Sequence, residues 1–251
     1  MHWDYALILI FFALAVPLLG RRRIRQLLDS PDFSSLDRLR LYASTVALQW
    51  VASAIVLWRI RAHGVSPAAL GIALPRPELS VTVGALLSLF LLANQLLGLR
   101  RLAKGPADPR AILPRLAAKI FPRSSSERLA FFAVVSTVAV CEEWIYRGFV
   151  QRIFEDAGGG FVMAGIIASA AMFGFAHLYQ GRRGVISTSI LGLLFSVVRA
   201  WTGSLLPTMA AHFVADLTVG YLAPGKIRLS TVEGTVQPQS SAESVIADKD
   251  P

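Results

Sequence analysis

Two adjacent carboxylates, Glu142 and Glu143, stand in the stretch CEEWIYRGF (Cys141–Phe149), directly after the apolar run LAFFAVVSTVAV. Charge inside lipid is costly, so such residues face a protein interior or a watery cavity and pair with one another. The ionisable side chains expected inside the last four apolar blocks are Glu142, Glu143, Arg147, His177, His212 and Asp216. A carboxylate and imidazoles gathered in an apolar cavity suit general acid–base chemistry, because such surroundings bring proton affinities towards neutral pH. Glu143 and Arg147 are spaced i,i+4, on one helical face, and can form an ion pair. Glu142 lies about 100° away around the helix and is left free. His212 and Asp216 share the i,i+4 spacing, as do Phe173 and His177.

Helices must place these groups together. From the turn near Asp156, Glu142 lies roughly 21 Å back along a helix, and His177 lies roughly 26 Å beyond Gly160. In antiparallel helices the two reach similar depths, and His212 follows the WTGSLLP loop on a third helix. Three helices therefore converge on one polar site.

Composition supplies those helices. Of 251 residues, 54% are hydrophobic and 16% charged, against about 25% charged in soluble domains, and the mean hydropathy is +0.55. The apolar residues form blocks at Trp3–Gly20, Leu41–Trp58, Val81–Leu99, Leu129–Trp144, Phe161–Leu178, Val185–Ala200 and Leu205–Ala223. Each approaches the roughly 20 residues that span a bilayer. The expectation is an all-α, polytopic transmembrane bundle of about seven spans, six to eight.

The net charge of +9 does not point to nucleic acid, because the basic residues cluster beside the spans, in RRRIR at Arg21–Arg25 and between Arg100 and Arg123. That pattern marks cytoplasmic loops, placing the N-terminus outside and the C-terminus inside a multi-pass protein of the cell membrane, with Arg59 and Arg61 against the trend. Arg182 and Arg183 read as further inside-positive anchors. The first span carries its arginines after the apolar run and reads as an uncleaved anchor. Residues 21–40 read as an interfacial loop or short amphipathic helix, and SSSER supplies N-caps for the fourth span. The chain divides into N-terminal transmembrane helices and basic loops (1–125), a helical core that holds the ionisable cluster (126–223) and a disordered tail (224–251). Cys141 is the only cysteine, a small packing residue beside the glutamate.

Three motifs in order, EEWIYR, FGFAH (Phe173–His177) and TGSLLPTMAAHFVAD, resemble the E-E-x-x-x-R, F-x-x-x-H and H-x-x-x-N regions of the CAAX prenyl endopeptidase and bacteriocin-processing (CPBP) intramembrane proteases. The resemblance implies that Glu142 and His177 activate a water for attack on a peptide carbonyl. It implies that Glu143 and Arg147 hold the helix, with Phe173 in support, and that His212 with residue 216 stabilises the oxyanion. The family has Asn where this chain has Asp216, and an ionised Asp cannot donate a hydrogen bond; Asp216 either orients His212 or is protonated. The implied partners are a peptide or protein substrate reaching the membrane and the lipid bilayer, with no nucleic acid. No cofactor is required. A Zn²⁺ variant would use Glu142, His177 and His212, a chemically acceptable set, although no H-E-x-x-H helix is present. Two further classes are a non-catalytic scaffold or immunity-type factor on the same fold and a proton relay, the latter weakened by the lack of repeat halves.

Overall fold

The computed structural model describes residues 2–30, 32–104 and 112–222. These form eight helices and, among the described residues, no strand. They are α1 (Trp3–Asp29), α2 (Ser35–Ala62), α3 (Pro77–Lys104), α4 (Ile112–Ile120), α5 (Ser125–Ala157), α6 (Val162–Ala176), α7 (Gly181–Thr202) and α8 (Leu206–Leu222). Seven lie on the seven apolar blocks, and α4 is a nine-residue segment in the basic connection. Five, α1, α2, α3, α5 and α7, are long and apolar enough to cross a membrane by length and composition. The remaining two, α6 and α8, have 15 and 17 residues. The protein is a multi-pass helical membrane bundle. The tail read as disordered lies outside the described residues.

Local chemistry sets the helix ends. Ser34 and Asp37 form a capping box at the start of α2, and Ser124 and Glu127 form another at the start of α5, each satisfying amide groups that an N-terminus leaves unpaired. Of the two readings open for residues 21–40, a loop or a short amphipathic helix, the structure has helix on either side of a short break. With good helix formers from Arg21 to Leu28, α1 runs on to Asp29, and α2 starts at Ser35. Gly203, at φ 74°, ends α7 in the left-handed conformation that glycine adopts without strain. Within α5 the α-geometry is interrupted: Trp144–Val150 is a π segment, and the Gln151 N–H bonds the Tyr146 carbonyl five residues back.

The bundle is apolar outside and polar within. Trp3, Val81 and Leu129 are 75%, 69% and 74% exposed, whereas Glu143, Arg147 and Gln151 are 0% exposed. A water-soluble fold reverses that arrangement; lipid as solvent explains it. Helices α3 and α8 pack together, as do α6 and α7, and α2 and α8 both pack on α5. The α2–α3 connection folds inward, with Leu70 buried in a core cluster shared with Trp144, Phe149 and Leu205. The Leu205 amide bonds the Gly71 carbonyl at 2.9 Å, and Arg199 Nη2 donates to the Ala69 carbonyl at 2.8 Å. At the end of α2, Arg59 pairs with Asp4 at 2.6 Å, and His63 contacts the same carboxylate at 2.9 Å. Arg59, which ran against the charge pattern, thus has a local partner on α1.

Gly165 brings α6 against α5. A Cβ there would run into the Gln151 carbonyl and the Glu155 side chain. Gly165→Val should therefore destabilise the bundle by about 2–3 kcal/mol through overpacking, read as a lowered thermal unfolding midpoint of the detergent-solubilised protein. Gly98→Ala, inside α3 where no atom lies within 4 Å of the added carbon, should hold that midpoint or raise it slightly, since alanine favours a helix over glycine.

Candidate active site

The α5 helix carries the two glutamates at the junction of its α and π segments, and their side chains take different partners. Glu143 is fully buried. Its Oε1 accepts from Arg147 Nη1 at 2.9 Å and from His212 Nδ1 at 3.0 Å. Glu142 is half-buried, and its Oε1 accepts from Gln49 Nε2 of α2 at 3.0 Å. One oxygen of each carboxylate, Oε2, is buried with no hydrogen-bond partner among the described residues. Adjacent residues on a helix point about 100° apart, and here Glu143 meets α8 while Glu142 meets α2.

Aromatic rings supply the rest of the Arg147 environment. The guanidinium lies 4.1 Å from the Phe173 ring centroid and 5.2 Å from that of Phe195, an attraction that strengthens where water is excluded. Phe173 also meets Tyr146, His177 and His212, at centroid distances of 5.3, 4.7 and 6.1 Å. One phenyl ring thus touches side chains from α5, α8 and the end of α6. Gly192 of α7 keeps the space open: a Cβ there would stand 3.3 Å from Arg147 Nη2.

His177 follows the last residue of α6, and its Nδ1 lies 2.8 Å from the Phe173 carbonyl. A carbonyl only accepts, so Nδ1 carries the proton and the neutral ring keeps its lone pair on Nε2. His212 Nδ1 donates to Glu143, and its Nε2 lies 3.5 Å from Asp216 Oδ2. The Asp216 side chain is 43% exposed, at the margin of the buried cluster.

Glu143, Arg147, Phe173 and His212 are therefore gathered tightly, with Asp216 at their edge. Glu142 and His177 are not hydrogen-bonded to each other, and each is tethered from another side. Sharing of Glu143 between Arg147 and His212 goes beyond the i,i+4 ion pair that spacing suggests. No group of three His, Cys, Asp or Glu among the described residues is set to hold a metal ion, and both ring nitrogens of His212 face carboxylates.

Several residues lie outside the motif reasoning. Gln49 has no charge and sits 93 positions from its partner. Glu155 and Arg199 form a further buried ion pair at 3.2 Å, with Gln151 donating to Glu155 at 3.0 Å and to the Ser196 carbonyl at 3.2 Å. The signal for Arg199 was present as a charge within the Val185–Ala200 block, whereas Glu155 stands beside the turn near Asp156 and carried none.

Removing Arg147 would leave Glu143 buried with His212 as its one remaining basic partner among the described residues. Arg147→Ala should destabilise the protein by about 3–5 kcal/mol, the cost of breaking a buried pair from one side, measured by denaturation in detergent. Arg152→Ala, which removes an exposed i,i+4 pair with Asp156, should cost well under about 1 kcal/mol.

Residues 124–218 match the family model described as type II CAAX prenyl endopeptidase Rce1-like. The match runs from the N-cap of α5 to two residues beyond Asp216 and contains all three motifs. No curated protein and no solved structure matches the chain.

Proposed function

We propose that this protein is an intramembrane endopeptidase of the CAAX prenyl protease type, which hydrolyses a peptide bond with a water activated by Glu142 and His177. The observation that carries the reading is that the family match falls on the residues converging at the buried polar centre of the bundle. Its substrate is a peptide or protein that reaches the membrane, and the enzyme sits in the cell membrane with its C-terminus on the cytoplasmic side.

In this mechanism the Glu142 carboxylate takes a proton from water while His177 Nε2 orients the same water by accepting its second hydrogen. The oxygen attacks the carbonyl carbon of the scissile bond and a tetrahedral oxyanion forms. His212 faces that oxyanion through Nε2, its Nδ1 being held by Glu143. Donation from Nε2 requires the doubly protonated ring, and Asp216 stands beside it as counter-charge. One donor aimed at a developing oxyanion in a dry site is worth about 2.7–4 kcal/mol. Collapse breaks the C–N bond, and Glu142 returns its proton to the departing amine. Glu143, Arg147 and Phe173 position the helix and His212 without touching substrate. Each step uses side chains of this chain, and none requires a metal ion.

Membranes from cells expressing wild type and Glu142→Ala at equal abundance should be compared for new peptide termini by quantitative mass spectrometry. Termini that vanish with Glu142→Ala, and also with His177→Ala, are expected, with cleavage falling about 10²–10⁴-fold as for loss of a general base. Cleavage should survive a strong chelator. Termini independent of Glu142, alongside a cellular phenotype shared by both variants, would instead favour the scaffold reading.

A further inference from the structure

We infer that Gln49, on a helix outside the family match, positions Glu142 by holding one of its carboxylate oxygens and presenting the other to the reacting water. The inference rests on the peptidase reading for its functional consequence, while its structural basis is independent of that reading. Gln49 interrupts the apolar stretch STVALQWVASAIV of α2. Its Nε2 donates to Glu142 Oε1 at 3.0 Å, and Glu142 Oε2 is buried without a partner among the described residues. A carboxylate on a three-torsion side chain can turn either oxygen towards a neighbour. A single donor on Oε1 restricts its rotation and leaves Oε2 as the acceptor without a partner among the described residues.

The amide is also a suitable chemical choice. A lysine or arginine at this position would bind the carboxylate as a counter-ion and compete with its work as a base. An apolar residue would leave the carboxylate free to rotate. A neutral N–H donor orients it without neutralising it.

The register that brings Gln49 to Glu142 is built into the contacts of α2. Near its start, the buried Arg38 pairs with Glu127 at 3.0 Å. One residue beyond Gln49, Trp50 Nε1 donates to Thr137 Oγ1 at 3.3 Å. At its far end, Arg59 pairs with Asp4 of α1 at 2.6 Å. Helices α2 and α5 run in the same direction, so the first two contacts fix both depth and rotation. A slip of one turn, about 5.4 Å, would break every one of these contacts.

The test uses the full-length protein in liposomes and the substrate identified from the mapped termini. Gln49→Leu keeps bulk and removes the donor; Gln49→His keeps an N–H at similar reach. Gln49→Leu should lower kcat about 10- to 100-fold, the scale of one hydrogen bond to a charged group, with KM and the unfolding midpoint unchanged. Gln49→His should recover most of that loss. Added to Glu142→Ala, Gln49→Leu should cause no further change. Separately from activity, a hydrophobic carbodiimide should label Glu142 several times faster in Gln49→Leu, because Oε1 is released from its hydrogen bond. Unchanged kcat and labelling would overturn the inference, as would a kcat loss that persists in the Glu142→Ala background. If Glu142→Ala cleaves like wild type, the peptidase reading fails, and the labelling rate still decides whether Gln49 governs Glu142.

Discussion

The Glu143 carboxylate, sealed from solvent between an arginine and a histidine, sets terms that the surrounding helices have to meet. An isolated buried carboxylate would cost several kcal/mol, so its partners must be present and well placed. Arg147 comes from the same helix, one turn on, but His212 arrives from α8. Meeting both requires α8 to lie against α5 at one depth and one rotation. The Arg147 nitrogens that have no hydrogen-bond partner among the described residues, Nε and Nη2, are in turn covered by the rings of Phe173 and Phe195. Packing of α6 and α7 is thereby tied to the same carboxylate, and Gly192 leaves the room that this arrangement needs.

The N-terminal helices contribute more than a hydrophobic wall. Helix α2 is fastened at both ends by ion pairs, Arg38 with Glu127 and Arg59 with Asp4. Between them it delivers Gln49 to the second glutamate. The α2–α3 connection then inserts Leu70 beside Trp144 and Leu205, and Arg199 binds its backbone. Residues remote from the three motifs therefore define the walls and the register of the site that the motifs populate.

Much of this was legible in the amino-acid sequence, for a definite reason. A bilayer forces long apolar blocks on the chain, so the seven helices stood out, and the expense of charge within them singled out Glu142, Glu143, Arg147, His177, His212 and Asp216. SSSER announced a helix start, and the structure puts the cap at Ser124 with Glu127 completing the box. Other features had no local trace. Gln49 is one neutral residue whose importance comes from a contact across 93 positions. The joint hold of Arg147 and His212 on Glu143 depends on helix rotation, which spacing along a single helix does not determine. For residues 21–40 the sequence left a loop and an amphipathic helix open, because mixed charged and apolar residues suit both; the structure has helix through Asp29 and again from Ser35.

The π segment at Trp144–Val150 acts as a phase shifter within α5. Ahead of it, the glutamates address α2 and α8. Beyond it, Gln151 and Glu155 address α7 through the Ser196 carbonyl and Arg199. Each residue added to or removed from a helix turns everything downstream by about 100°. The widened turns therefore synchronise two polar networks that a plain α-helix of equal length would set out of step. The number of residues between Glu143 and Glu155 is consequently a more rigid property of this chain than the identity of many side chains lying between them.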